Sequence, residues 1–305
     1  MNYPVYKLRD WIDENKLNWD ELCCNKHPKA IELLEKNQDK INWSLLSSNP
    51  NAIDLLKKNQ NKINWDKICL NTNPRIIEIL ENNQNKINWN VLHSNSNPSA
   101  IDLLIKNPNK IDWDLLNFNP SAIELLKKNP DKINWKYLSF NSSAIHLLEE
   151  NPEKINWNNL NYNSSAIHLL KKNPDKINWE YLSFNPNAIK LFMCIPNKIN
   201  WNYINYWNYL SFIPEAIEFL ENNPDKIDWN YLSFNPNAIE LLKKNQDKIN
   251  WIYFSSNPSI FILDYEQMKL NIQPLEEDLL KAVLHPRRVF RNMELYGYDI
   301  DDMFY

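Results

Sequence analysis

The stretch WDLLNFNPSAIELLKKNPDKIN at residues 113–134 decides the fold, because near copies of it fill most of the chain. Starting from its Trp, the unit reads W-x-x-L-S-F-N-P-x-A-I-x-L-L-K-K-N-P-D-K-I-N, and eleven copies cover about residues 19–264. Tryptophans mark the copies, and they stand 22 or 24 residues apart except around the pair Trp201 and Trp207. A fixed period of this length is the signature of a repeat architecture.

Each copy carries two helix-start signals. At Asn185 the side chain can cap a helix, and Pro186 suits the first helical position, where its missing N–H costs nothing. The A-I-x-L-L run that follows has the apolar spacing of a helix rather than the alternation of a strand. The second start is at Asn178, which would cap a short helix beginning at Trp179. The pattern predicts a helix of about nine residues, a tight turn and a helix of about six in each copy.

Neither helix is stable alone, since isolated helices shorter than about 12 residues are marginal in water. Stacked neighbours must therefore bury the Trp, Leu, Ala and Ile side chains of every copy. We predict an all-α fold, an elongated α-solenoid of about eleven short helix-turn-helix repeats of 22–24 residues. The alternative is a leucine-rich-repeat-like horseshoe, whose L-x-x-L-x-L-x-x-N-x-L pattern overlays the unit. The asparagine position of that pattern holds Glu215, Ser121, Ser143 and Ser165, which could not form its buried ladder.

The two ends of the chain depart from the repeat. Residues 1–18 predict an N-terminal capping helix, residues 19–264 the repeat solenoid, and residues 265–305 a C-terminal helical capping module. In that module we expect one amphipathic helix from Pro274 to Leu284 and a second from Pro286 to Tyr296. Caps are expected because an open solenoid exposes an apolar stacking face at each end.

The composition excludes several classes of enzyme, because the chain has one glycine in 305 residues. It has no phosphate-binding G-x-x-x-x-G-K loop, no G-x-G-x-x-G dinucleotide turn and no G-x-S-x-G nucleophile elbow. His146 and His168 hold the same position in successive repeats, but that position varies elsewhere, so we interpret both as exposed surface groups rather than ligands. We predict no enzymatic activity, no catalytic residue, no cofactor and no metal site.

Two surfaces are candidate binding sites. A partner site is predicted at the one broken repeat, where apolar and aromatic residues replace the charged end of the unit. Its candidate contact residues are Phe192, Met193, Ile195, Tyr203, Tyr206 and Trp207. The alternative is a polyanion-binding ladder formed by the lysine of K-I-N-W, with central members Lys132, Lys154, Lys176 and Lys198. The competing interpretation is that these lysines neutralise carbonyls at the end of the long helix.

The Y-K-L-R-D-W-I-D-x-x-K-L-x-W-x-x-L opening and the N-P-N-A-I-x-L-L-x-x-N-x-D-K-I-N-W repeats resemble the asparagine-rich repeat proteins that giant DNA viruses of amoebae encode in many copies. The resemblance covers about residues 1–264 and implies an architecture and a viral source, but no site. We therefore expect a non-enzymatic scaffold for protein–protein interaction with host or virion proteins, with a homodimer as one possibility.

The location predicted from the sequence is intracellular, in the host cytoplasm or the virion. No stretch approaches 18 consecutive apolar residues, and the N-terminus lacks the apolar core of a signal peptide. The four cysteines are too scattered for a disulfide framework. The net charge of −4 carries no overall basic footprint. We expect a protein that is not secreted and binds neither a membrane nor nucleic acid.

Overall fold

The computed structural model describes residues 4–182, 184–188, 191, 204–285 and 287–291. These residues are mostly helical, in short helices of regular spacing, which confirms the predicted helical repeat. A leucine-rich horseshoe would need a strand in every repeat. The described residues contain two strands: β1 (Tyr6–Leu8) precedes the first repeat, and β2 (Phe261–Leu263) stands where the last repeat would have its long helix.

In the described residues nine repeats show two helices: one that begins at or near the Trp, which we call the short helix, and one that carries the A-I-x-L-L run, which we call the long helix. Most of the long helices have five or six residues instead of the nine predicted, because in most of them a 3-10 turn takes the place of the first residues. The short helices are Trp19–Leu22, Trp43–Ser47, Trp65–Ile68, Trp89–Leu92, Trp113–Leu116, Trp135–Leu138, Trp157–Leu160, Trp179–Leu182, Ile204–Phe212, Trp229–Phe234 and Trp251–Phe254. The long helices are Pro28–Lys36, Ile53–Lys58, Ile76–Glu81, Pro98–Lys106, Ile123–Lys128, Ile145–Glu149, Ile167–Lys172, Ile217–Glu221 and Ile239–Lys244. Three-residue 3-10 helices, such as Pro120–Ala122 and Pro130–Lys132, fill most of the connections.

Asparagines terminate the helices, as the sequence predicts. Asn64 caps the short helix that follows it, because its Oδ1 accepts the N–H groups of Asp66 and Lys67 at 3.1 and 3.0 Å. Asn129 lies at the end of a long helix, where its Nδ2 donates to the carbonyl of Leu125 at 2.8 Å. Both kinds of contact satisfy backbone groups that a helix end leaves without a partner.

In most repeats the core is made by the leucine of the short helix, the alanine that follows it and the last leucine of the long helix. In the repeat that begins at Trp113, Leu116, Ala122 and Leu126 are fully buried. The repeat tryptophans that the structure describes, which we expected in the core, are only half-buried. Most of them open a helix of little more than one turn.

A ladder of buried asparagines joins most of the described repeats to the one before. Asn141 Nδ2 donates to the carbonyls of Asn117 and Asn119, both at 3.0 Å, while its Oδ1 accepts the N–H of Ser143. The same pair of inter-repeat bonds is made by Asn49, Asn71, Asn95, Asn119, Asn163, Asn185, Asn235 and Asn257. In the 22-residue repeats this asparagine stands directly before a Pro or, at Asn141 and Asn163, before a Ser. One side chain therefore both caps the turn that follows it and bonds a neighbouring repeat.

A second inter-repeat bond runs from the backbone to a side chain on the preceding short helix. Ser139 Oγ accepts the N–H of Asn156 at 3.0 Å and donates to the carbonyl of Trp135 at 2.7 Å. Ser47, Ser211 and Ser233 act in the same way, and Asn117 and Asn161 replace the serine with an amide. Every repeat boundary of this kind therefore gives a partly buried backbone N–H an acceptor.

The first repeat bonds the last repeat as though it were its preceding neighbour. Asn25 Nδ2 donates to the carbonyls of Ser255 and Asn257 at 2.9 and 3.0 Å, and the N–H of Asn18 donates to Ser255 Oγ at 2.8 Å. These are the two kinds of bond that join consecutive repeats elsewhere. The array of repeats therefore closes on itself, a feature that the sequence did not predict.

The two ends of the chain form a compact unit of their own. The chain divides into two compact units, Trp11–Ile260 and a second formed by Met1–Asp10 with Phe261–Tyr305. In the second unit β1 pairs antiparallel with β2. The predicted N-terminal capping helix over residues 1–18 is therefore wrong, because the backbone of Tyr6–Leu8 finds its partners at the far end of the chain, which no local pattern reveals.

The C-terminal segment begins its helix earlier than the sequence predicts. The helix runs from Tyr265 to Val283 rather than from Pro274, since Asp264 caps it by accepting the N–H of Gln267 at 3.1 Å. Pro274 lies inside this helix. Residues 287–291 are helical, and the rest of the second predicted helix lies outside the described residues.

Candidate interaction surfaces

The lysine of K-I-N-W contacts the Trp of the preceding repeat. The Nζ atom lies 4.2–4.9 Å from the ring centroid in six cases: Lys40 over Trp19, Lys62 over Trp43, Lys86 over Trp65, Lys154 over Trp135, Lys248 over Trp229 and Lys16 over Trp251. The last of these spans the closure of the array. Such cation–π contacts stabilise exposed sites by about 0.5–1 kcal/mol each.

Three lysines of the same row pair with the aspartate before them. Lys132 and Lys176 lie 3.0 Å from Asp131 and Asp175, and Lys226 lies 3.3 Å from its aspartate. All three belong to Pro-Asp-Lys turns, whereas the six lysines above follow Gln-Asp, Gln-Asn, Pro-Glu or Glu-Asn. Of the four predicted polyanion-binding lysines, Lys154 therefore lies on a tryptophan, Lys132 and Lys176 lie on carboxylates, and Lys198 lies outside the described residues. Sequence reasoning assigned these lysines to helix carbonyls and missed the tryptophan contact.

A row of aromatic rings crosses four consecutive repeats, and we call it the aromatic belt. Its members occupy the third and sixth positions counted from the repeat Trp, and they are Phe118, Tyr137, Phe140, Tyr162, Tyr181 and Phe184. Neighbouring ring centroids lie 4.8–5.9 Å apart. Phe118 is 42% exposed and Phe184 38%. Desolvation together with the neighbouring Tyr181 and Glu180 raises the pKa of Tyr162. The predicted sites included none of these residues, although their Phe and Tyr recur in register with the Trp.

Most of the predicted partner patch lies outside the described residues. This applies to Phe192, Met193, Ile195 and Tyr203, and to the side chain of Tyr206. Trp207 is described, and its ring stacks on that of Phe219 with centroids 5.7 Å apart and planes 8° apart. In the same repeat the ladder asparagine is replaced by a buried Ile213, which caps no helix through its side chain.

The two surface histidines share one carboxylate. His146 Nδ1 lies 3.3 Å from Glu149 Oε2, and His168 Nε2 lies 2.7 Å from Glu149 Oε1. The contact with His168 is the main cause of a lowered pKa at Glu149. This confirms that the histidines of successive repeats are neighbours. Within the described part of the chain, no group of three or more His, Cys, Asp and Glu side chains is arranged to hold a metal ion.

His93 replaces the bridging serine of the second inter-repeat bond, a role that sequence reasoning did not foresee. Its Nε2 accepts the N–H of Asp112 at 2.8 Å, and its Nδ1 lies 2.6 Å from the carbonyl of Trp89. This pattern requires the neutral ring with its proton on Nδ1. Burial lowers the pKa of His93, opposed by the carbonyl of Trp89 and the charge of Asp112.

The described cysteines are free and show no reactive setting. Burial raises the pKa of Cys23 and of Cys69 to about 11, which keeps both thiols protonated at neutral pH. Among the helices that the structure describes, none combines the length and apolar character that crossing a bilayer requires.

The geometry above therefore offers an aromatic belt and a tryptophan–lysine edge as surfaces for recognition. Comparison of the chain with protein-family models, with curated proteins and with solved structures finds no match.

Proposed function

We propose that the protein is a non-enzymatic repeat scaffold that binds protein partners through its aromatic belt. The observation that carries this proposal is the continuity of the belt, in which partly exposed Phe and Tyr rings touch across four repeats. Aromatic side chains are enriched in protein interfaces because they bury a large area at a small cost in conformational entropy. The resemblance to repeat proteins of giant viruses points to host or virion proteins as the partners.

The rigidity of the repeat suits the belt to this task. Its rings lie on the short helices or in the turns that directly follow them, and these segments are hydrogen-bonded to the neighbouring repeats, so little ordering is needed on binding. The alternative proposal, polyanion binding, would use lysines of the K-I-N-W row. Lys132 and Lys176 are paired with aspartates, and this lowers the positive potential that a polyanion would meet.

The test uses substitutions that the repeat itself tolerates. The belt position of Phe118 and Phe140 holds Ser48, Ser94 and Ser256 in other repeats, so a Phe118→Ser, Phe140→Ser double variant should fold. The matched control is Ile105→Ser, which removes an apolar side chain that is 49% exposed on a long helix outside the belt.

Photo-crosslinking in an amoebal lysate, with quantitative mass spectrometry, compares the three proteins. The proposal expects a set of proteins captured by the wild type and by Ile105→Ser and lost from the double variant. Capture that is the same for all three proteins contradicts it. Filter binding of RNA and DNA at several salt concentrations is run in parallel, and affinity with a steep salt slope would favour the polyanion alternative.

A further inference from the structure

Trp113 lacks the lysine that covers equivalent tryptophans. In six repeats a lysine Nζ lies 4.2–4.9 Å from the centre of the Trp ring. The lysine in the matching position for Trp113 is Lys132, and its Nζ instead lies 3.0 Å from Asp131 Oδ2. Within the described part of the chain no other cation lies over the ring of Trp113. In the next repeat Glu153 takes the place of Asp131, so the acidic side chain is one methylene longer. There Lys154 lies over Trp135.

The groove around Trp113 has more acidic than basic side chains in its lining. It is lined by the carboxylates of Asp112, Asp114 and Asp131 and by two lysines, Lys132 and Lys136. Asp112 Oδ1 accepts the N–H of Leu115, and Asp114 Oδ1 accepts from Asn134 Nδ2 at 3.1 Å. Neither Asp112 nor Asp114 has an ion-pair partner among the described residues. A cation at this ring would therefore meet two carboxylates that lack a counter-ion.

The corresponding groove at Trp89 shows that an uncovered ring alone does not suffice. No lysine lies over Trp89 in the described structure, but its groove is lined by one carboxylate, from Asp66, and by Lys86 and Lys110. With two lysines and one carboxylate, this groove has an excess of positive charge, which repels a cation from a partner. Of the grooves at these two uncovered rings, the one at Trp113 has the excess of negative charge that attracts a cation.

We propose that the groove at Trp113 binds a lysine or arginine side chain of a protein partner, with the cation over the indole ring and beside Asp112 and Asp114. The six lysine-covered rings identify the ligand, because they show which group this repeat geometry accepts over its Trp. The Asp131–Lys132 pair leaves the ring open to that group. This site is separate from the aromatic belt, so either proposal can fail without the other.

The test measures a simple cation on the whole protein labelled with 5-fluorotryptophan, with the Trp113 signal assigned through Trp113→Phe. Nα-acetyl-lysine methylamide is titrated while the 19F spectrum is recorded, and Nα-acetyl-norleucine methylamide is the neutral control. We expect a saturable shift of the Trp113 signal with the lysine probe in the millimolar range and no shift with the norleucine probe. Removal of one carboxylate by Asp112→Asn should weaken binding about threefold, which corresponds to the attraction between two unit charges about 6 Å apart in water.

Asp131→Glu is the sharpest variant, because it keeps the charge and recreates the Pro-Glu-Lys turn of residues 152–154. Lys132 should then move onto Trp113 and compete with the probe, weakening its apparent affinity about fivefold when the ring is covered about four-fifths of the time. The matched control Asp175→Glu makes the same change two repeats away and should leave the Trp113 titration unchanged. The proposal is overturned by an absent Trp113 shift, by an equal shift with the norleucine probe, or by an Asp131→Glu protein that binds like the wild type.

Discussion

The exchange of Asn25 for Asp tests whether the array of repeats is closed. Asn25 is fully buried, and its Nδ2 donates to the carbonyls of Ser255 and Asn257 in the last repeat. Asn25→Asp changes one atom, so the Oδ1 that accepts the N–H of His27 remains. The replaced donor becomes an oxygen that faces two carbonyl oxygens. The substitution therefore removes the closure bonds while leaving the local turn intact.

The cost follows from the two carbonyls that lose their donor. A buried acceptor left without a partner costs about 1–3 kcal/mol, so two of them lower the free energy of unfolding by about 4 kcal/mol. Burial of a carboxylate adds to this loss. In an open array the same side chain would face water on the first repeat, and the exchange would be close to neutral.

Urea unfolding followed by circular dichroism at 222 nm measures the effect. The matched control is Asn141→Asp, which loses the same two bonds in the middle of the array. We expect the two variants to be destabilised equally, to within about 1 kcal/mol, the spread expected for one hydrogen bond. An Asn25→Asp protein as stable as the wild type, beside a destabilised Asn141→Asp protein, would refute the closed array.

Two further predictions concern single buried side chains. Because burial lowers the pKa of His93 below its ordinary value of 6.5, the unfolded chain binds the proton more tightly, and the stability present above pH 6.5 is lost as the pH falls below it. His93→Asn introduces the amide that Asn117 and Asn161 supply at this position, and it should reduce the loss of stability at acidic pH. If the urea midpoints of the wild type and the variant fall in parallel from neutral to acidic pH, the assignment is contradicted. Asn97 Nδ2 has no partner in the described structure although it is buried, so Asn97→Ser should keep the helix cap and leave the melting temperature unchanged or raised. Asn119→Ser, which loses donors to two carbonyls, should be destabilised by about 2–4 kcal/mol, and the reverse order of the two melting temperatures would count against the ladder.

The sequence by itself determined the repeat and the position of its helices. The Trp spacing, the asparagines before Pro and Trp, and the A-I-x-L-L runs are local signals. The structure confirms the predicted helix that begins at Trp179 and the predicted capping by asparagine, as at Asn64. The neighbouring positions of His146 and His168 also follow from the period alone. The same register placed the lysine row at one position per repeat, but it could not show whether a lysine covers a Trp or pairs with an aspartate. That choice depends on a turn of three residues packed against the preceding repeat.

Only the tertiary structure decided how the repeats are joined. The asparagine that the sequence identifies as a cap for its own helix uses its Nδ2 on carbonyls 22–26 residues earlier in the chain, and nothing local distinguishes these two tasks. Closure is less local still. Whether Asn25 faces water or bonds to Ser255 depends on the small rotation from each repeat to the next, added over the whole array. No single residue encodes that sum, so a solenoid that is open and one that returns to its first repeat have the same sequence signature.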